Sequence, residues 1–101
     1  MLLNREVTSE DLVNVFGKQC YTIGRKLNLV TEEYYDLALI IAKEKDKELE
    51  EAIKHKRTNE LGLFHGIPIS IKDHINEKEK LCTIGSPHLS NNVAKSDALA
   101  V

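Results

Sequence analysis

Apolar residues recur at steps of four and three from Leu12 through Phe16, Cys20 and Ile23 to Leu27, the spacing of one face of a helix. Thr8, Ser9, Glu10 and Asp11 stand just ahead of that face: a hydroxyl able to cap free amides, then acids where the helix dipole favours them. The pattern predicts a helix over residues 9–26. Gly17 and Gly24 fall seven apart on nearly one line of it, and each costs about 1 kcal/mol relative to alanine. They read either as tolerated weak points or as places where another backbone comes close.

After a break at Asn28 and Leu29, Thr31 offers a second cap, with Glu32, Glu33 and Asp36 supplying negative charge. Tyr34, Leu37, Ala38, Ile41 and Ala42, then Leu49, Ala52 and Ile53, continue a helical face and predict a second helix to about residue 54. Residues 43–57 are mostly lysine and glutamate, with Glu50 and Lys54 spaced to pair, and read as a solvated helix face. Residues 55–60 are polar and predict a loop. The period then changes. Ile67, Ile69 and Ile71 alternate with Pro68, Ser70 and Lys72, which predicts a short strand with the isoleucines on one side and Ser70 with Lys72 on the other. Pro68 lacks a ladder donor and belongs at the strand's start. Residues 76–80 predict a surface excursion, residues 83–87 a strand end and turn, and residues 93–101 the beginning of a further helix.

Composition narrows the class. A chain of 101 residues, 42% hydrophobic and 30% charged, is that of a soluble, folded protein. Its 14 basic and 16 acidic residues leave a formal charge of -2, which offers no broad electrostatic reason to bind nucleic acid or an anionic membrane. Met1, Leu2 and Leu3 are too short an apolar start for a secretory signal, and the apolar run at residues 37–42 is far short of the roughly 20 residues that span a bilayer. A cytoplasmic location is the expectation, with an upstream membrane anchor left open. Cys20 and Cys82 lack the spacing of a zinc site or a disulfide framework and read as reduced thiols.

Among the residues that could carry chemistry, Lys72 stands first. An ammonium held on a short apolar strand is poorly hydrated, which prepares a lysine to act as a base. Ser70 lies on the same face about 6.6 Å along a strand, so a Ser/Lys dyad is one reading and an orienting hydrogen bond the other. Gly85-Ser86-Pro87 is no nucleophile elbow and reads as a turn, with Ser86 as a residue that could line a site. His55, His65, His74 and His88 have no metal-ligand spacing, and no metal or cofactor is expected; His65 is expected to pack or to bond to backbone.

Gly62-Leu63-Phe64-His65-Gly66-Ile67-Pro68-Ile69-Ser70-Ile71-Lys72-Asp73, followed by Thr83-Ile84-Gly85-Ser86 and Ser96-Asp97-Ala98, resembles the amino-terminal part of the amidase signature family. Asn28-Leu29-Val30-Thr31-Glu32-Glu33 and the helix after it are similar in particular to the branch of fatty acid amide hydrolase and the fungal-type acetamidases. The resemblance implies hydrolysis of carboxamide carbon-nitrogen bonds by a nucleophilic serine, a serine in a cis peptide and a catalytic lysine, with Lys72 on the lysine. It implies an α/β mixed-sheet fold, of which this chain would hold the amino-terminal helical pair and the first strands, as a partial domain over residues 1–101. The family domain is several times longer, so both serines would lie beyond this stretch, and the substrate would be a small-molecule amide. Family members usually carry glycine where this chain has Glu79, and a different loop is expected there if that glycine needs a positive φ. Two further readings stand beside the amidase: a non-catalytic remnant that binds a partner or self-associates through its unpaired strand, and part of a glutamine-dependent amidotransferase.

Overall fold

The computed structural model describes residues 1–101 and divides into two compact units, Met1–Pro68 and Ile69–Val101. In the first unit, α1 (Ser9–Gln19) begins where the capping hydroxyl and first-turn acids predict. The Thr8 hydroxyl accepts from the Asp11 N–H at 3.0 Å, and the Asp11 carboxylate accepts from the Thr8 N–H at 3.0 Å, a reciprocal box that satisfies two free donors. The helix then widens into a π turn, Cys20–Gly24, and residues 25 and 26 close the predicted span.

The second helix, α2 (Tyr35–Lys54), starts four residues after the expected cap. Thr31 does not cap it, and Glu33 is drawn instead into an ion pair with Arg25, whose guanidinium lies 3.9 Å from the centre of the Tyr21 ring. That pair closes the connection between the helices. Glu33 is held below the usual carboxylate range chiefly by its hydrogen bond from Arg25.

Gly17 faces the first residue of α2, and Gly24 faces the connection between the helices. A Cβ placed on Gly17 would stand 3.4 Å from the Tyr35 ring, and one on Gly24 would stand 3.2 Å from a Val30 methyl. The close approach is therefore real, though it is made by side chains rather than by backbone. Val13, Ala42, Leu49 and Ala52 are buried with them. The predicted face of α2 is kept in part, since Ala42, Leu49 and Ala52 belong to it, while its Leu37, Ile41 and Ile53 are exposed; on α1, Phe16 and Ile23 are 50% and 57% exposed.

Of the charged run, Lys45 pairs with Glu48 at 2.8 Å, and Lys54 meets Glu51, not the expected Glu50. Asp46 is different in kind. Its two oxygens accept from the N–H groups of Ser9 at 2.7 Å and Glu10 at 3.1 Å, so a residue of α2 caps the first turn of α1. Residues 55–60 form the expected connection, with a single 3₁₀ turn at Thr58–Glu60.

No strand forms. Residues 67–71 carry no ladder hydrogen bonds; their one backbone bond is local, from the Ile67 N–H to the Phe64 carbonyl at 3.0 Å. Ile69 is 74% exposed, so the alternation has no covered side. In the second unit the predicted helix over residues 93–101 is absent as well. Those residues pair instead with the predicted surface excursion: Glu79 and Ala94 are joined by an N–H to carbonyl bond of 2.9 Å, Ala94 donates to Lys80 at 2.9 Å, Cys82 donates to Asn92 at 2.9 Å, and Ala98 donates to Asn76 at 2.8 Å. A single antiparallel bridge, Leu81 with Val93, marks this pairing, and Cys82 and Ala94 are buried beneath it. Backbone pairing with a nearby segment outcompetes a helix that has only one turn or two to offer. Residues 83–86 form the expected turn, followed by a 3₁₀ turn at Pro87–Leu89. Both cysteines are free thiols, and no helix is long and apolar enough to cross a membrane.

Candidate functional site

The motif singled out in the sequence is divided between the two units: Gly62 to Pro68 close the first, and Ile69 to Asp73 open the second. In the first unit, Gly66 adopts φ +76 and lets the chain fold over the amino end of α1, where an added Cβ would collide with the buried Ser9 hydroxyl. His65 is anchored by that fold. Its Nε2 lies 2.9 Å from the Lys45 carbonyl and its Nδ1 lies 3.9 Å from a Glu48 oxygen, so the ring bonds to backbone, as expected from the sequence. A groove of about 520 Å³ runs beside it, walled by Leu2, Val7, Leu12, Leu49 and Leu61. This groove has apolar walls and no nucleophile-base pair.

In the second unit, Lys72 is exposed and opens a tight turn in which its carbonyl accepts from the Ile75 N–H at 2.8 Å. Ser70 is also exposed, and no hydrogen bond joins it to Lys72, so the orienting contact weighed from the sequence is absent. Ser86 donates its backbone N–H to the Thr83 carbonyl at 2.9 Å and serves the turn.

The contact that sequence reading missed is made by Asp73. Its Oδ1 accepts from the Thr83 N–H at 2.8 Å and its Oδ2 from the Thr83 hydroxyl at 2.5 Å. Hydrogen bonds from the Thr83 hydroxyl and then the Thr83 N–H hold the Asp73 carboxyl below its usual range, against a smaller opposing effect of burial. Both residues stand in the motifs, but a pairing ten positions apart leaves no periodic signal.

Residues 11–101 match the family model described as Amidase. The chain is 33% identical over 99 residues to a putative amidase of Schizosaccharomyces pombe, covering 97% of this chain and 17% of that protein. It is 35% identical over 95 residues to a probable amidase of Arabidopsis thaliana, covering 93% of this chain and 18% of the relative. It is 33% identical over 98 residues to a glutamyl-tRNA(Gln) amidotransferase subunit of Clostridium botulinum, covering 97% of this chain and 19% of that relative. No solved structure matches it. The chain thus spans less than a quarter of the length of these relatives, and with a family match over nearly all of its own length it belongs to the amidase family.

Proposed function

We propose that this chain is the lysine-bearing part of an amidase that hydrolyses carboxamide carbon-nitrogen bonds, with Lys72 as the general base. The observation that carries the reading is the family match across the stretch from Gly62 to Ser86, within which Lys72 stands in the motif. In this mechanism neutral Lys72 takes the proton of a nucleophilic serine through a second serine in a cis peptide, and then returns it to the leaving amine. Neither serine is in this chain, since Ser9, Ser70, Ser86, Ser90 and Ser96 are not in a glycine-rich stretch. The paired strand to which residues 67–71 belong would form with sequence outside the chain, and the backbone groups of residues 68–71, which make no backbone hydrogen bond here, suit that role. The branch of fatty acid amide hydrolase and the fungal-type acetamidases is the favoured placement, supported by the fungal amidase relative.

A second reading has its own support. The clostridial relative is named for an amidotransferase and is as similar as the fungal one, so an amidase centre that releases ammonia from glutamine for transfer is the alternative.

The test is a chimera in which residues 1–101 replace the matching segment of the S. pombe protein. Lys72→Ala in it is expected to lower kcat by at least about a hundredfold, the usual range for loss of a general base. Turnover close to that of the unmutated chimera would refute the role of Lys72. Comparing simple acyl amides with glutamine as substrates separates the two readings.

A further inference from the structure

Ile84 and Gly85 stand in succession at φ +55 and φ +67. Glycine adopts that conformation freely, but a β-branched isoleucine does so at a cost of about 1–2 kcal/mol, and such a residue persists only where its surroundings over-determine it. Those surroundings are few: Ile84 is exposed, and nothing lies within 4 Å of a Cβ built on Gly85. Packing therefore does not hold this turn.

Hydrogen bonds do. The Thr83 hydroxyl donates to Asp73 Oδ2 and accepts from the Gly85 N–H at 3.2 Å, while the Thr83 N–H donates to Asp73 Oδ1. One carboxylate thus takes both donors of Thr83 and, through the hydroxyl, reaches Gly85. The same carboxylate belongs to the second residue of the turn that Lys72 opens and Ile75 closes. The Lys72 ammonium has no hydrogen bond or ion pair of its own, so its placement depends on its backbone.

We propose that Asp73 is a positioning residue for Lys72: its grip on Thr83 ties the 72–75 turn to the 83–86 turn and fixes the backbone from which the lysine projects. The proposal rests on reading Lys72 as the base, but the grip can be measured without turnover. Thr83→Ser keeps both donors. Thr83→Val keeps the shape and the N–H but loses the hydroxyl and its link to Gly85. Asp73→Ala removes the acceptor altogether.

The experiment is amide hydrogen exchange by mass spectrometry on the full 101-residue chain at low micromolar concentration, following peptides over residues 70–76 and 82–87. The pairing of residues 76–82 with 92–98 serves as the internal reference. Asp73→Ala is expected to speed exchange at least tenfold in both peptides while the Glu79 and Ala94 amides hold. Thr83→Val should speed both peptides as well, and Thr83→Ser should restore the unmutated rates. Faster exchange in 82–87 with 70–76 unmoved would overturn the proposal and leave Asp73 as a staple of the distant turn alone. Unchanged exchange in both would show that the grip is absent. Should Asp73→Ala open the whole unit, the contrast between Thr83→Val and Thr83→Ser decides. If Lys72 is not the base, the chimera shows it through unimpaired Lys72→Ala turnover with the grip intact, so the two failures are distinguishable.

Discussion

Glu79 occupies a position where the resemblance leads one to expect glycine, and its φ is +66. The backbone at Glu79 therefore takes a conformation that glycine adopts freely, and Glu79 bears the strain while its N–H bonds to the Ala94 carbonyl. Glu79→Gly is expected to stabilise the second unit by about 0.5–1 kcal/mol, since relief of the left-handed strain outweighs the added freedom of the unfolded chain. Urea unfolding measures it, and a loss of stability would contradict the strain argument. Gly66 gives the opposite case. Its positive φ and the collision with Ser9 that any Cβ would make predict that Gly66→Ala destabilises the helical unit by at least about 1 kcal/mol, read as a lower thermal midpoint.

At the scale of the element, the amino end of α1 is satisfied from two sides, by Thr8 and by Asp46. Thr8→Ala is expected to cost about 1 kcal/mol, and Asp46→Ala to fray the first turn even though the box remains; helical circular dichroism against temperature follows both. Acid acts on the same elements. The carboxyls of Asp11, held chiefly by the Thr8 backbone donor, and of Asp73, held by Thr83, titrate below 3.8, their ordinary value, in the folded chain. The unfolded chain therefore takes up protons first as pH falls. Their contribution is complete above about pH 5 and is lost progressively below it, through the unfolded value and then as the folded groups protonate. Stability measured from pH 6 down to pH 2 should fall in that lower window, and Asp73→Asn should flatten the part that belongs to the second unit.

At the scale of the molecule, the exposed apolar residues predict behaviour. Phe16, Ile23, Leu27 and Ile41 are uncovered, and residues 68–71 offer unpaired backbone beside the exposed Ile67 and Ile69. The chain made alone is expected to be helical but prone to self-association, and a sharp cooperative melt from a monodisperse monomer would count against this. It is also expected to lack amidase activity. On the proposed mechanism the covalent route needs a nucleophilic serine that this chain does not hold, and each oxyanion donor it lacks would withdraw about 2.7–4 kcal/mol of transition-state stabilisation. A serine-directed fluorophosphonate that labelled Ser70 stoichiometrically would overturn that expectation and favour a Ser70–Lys72 dyad.

The start of α1, the helical span that runs on through the π turn to residue 26, the second helix through Lys54 and the turn at 83–86 are all legible in the sequence, because caps, periodicity and turn residues act over three or four positions. The motif around Lys72 is legible too, and with it the family. What tertiary structure decided is everything that joins distant positions. Gly17 came to face the Tyr35 ring and Gly24 a Val30 methyl, while Phe16 and Ile23 were left exposed. Asp46, one acid in a charged run, became a cap because α2 brings it to the free amides of α1. Residues 93–101 left a weak helical preference for backbone partners in 76–82, and Asp73 found Thr83 across ten positions. Local preference is written residue by residue, whereas a hydrogen bond between distant segments exists only once the chain has brought them together.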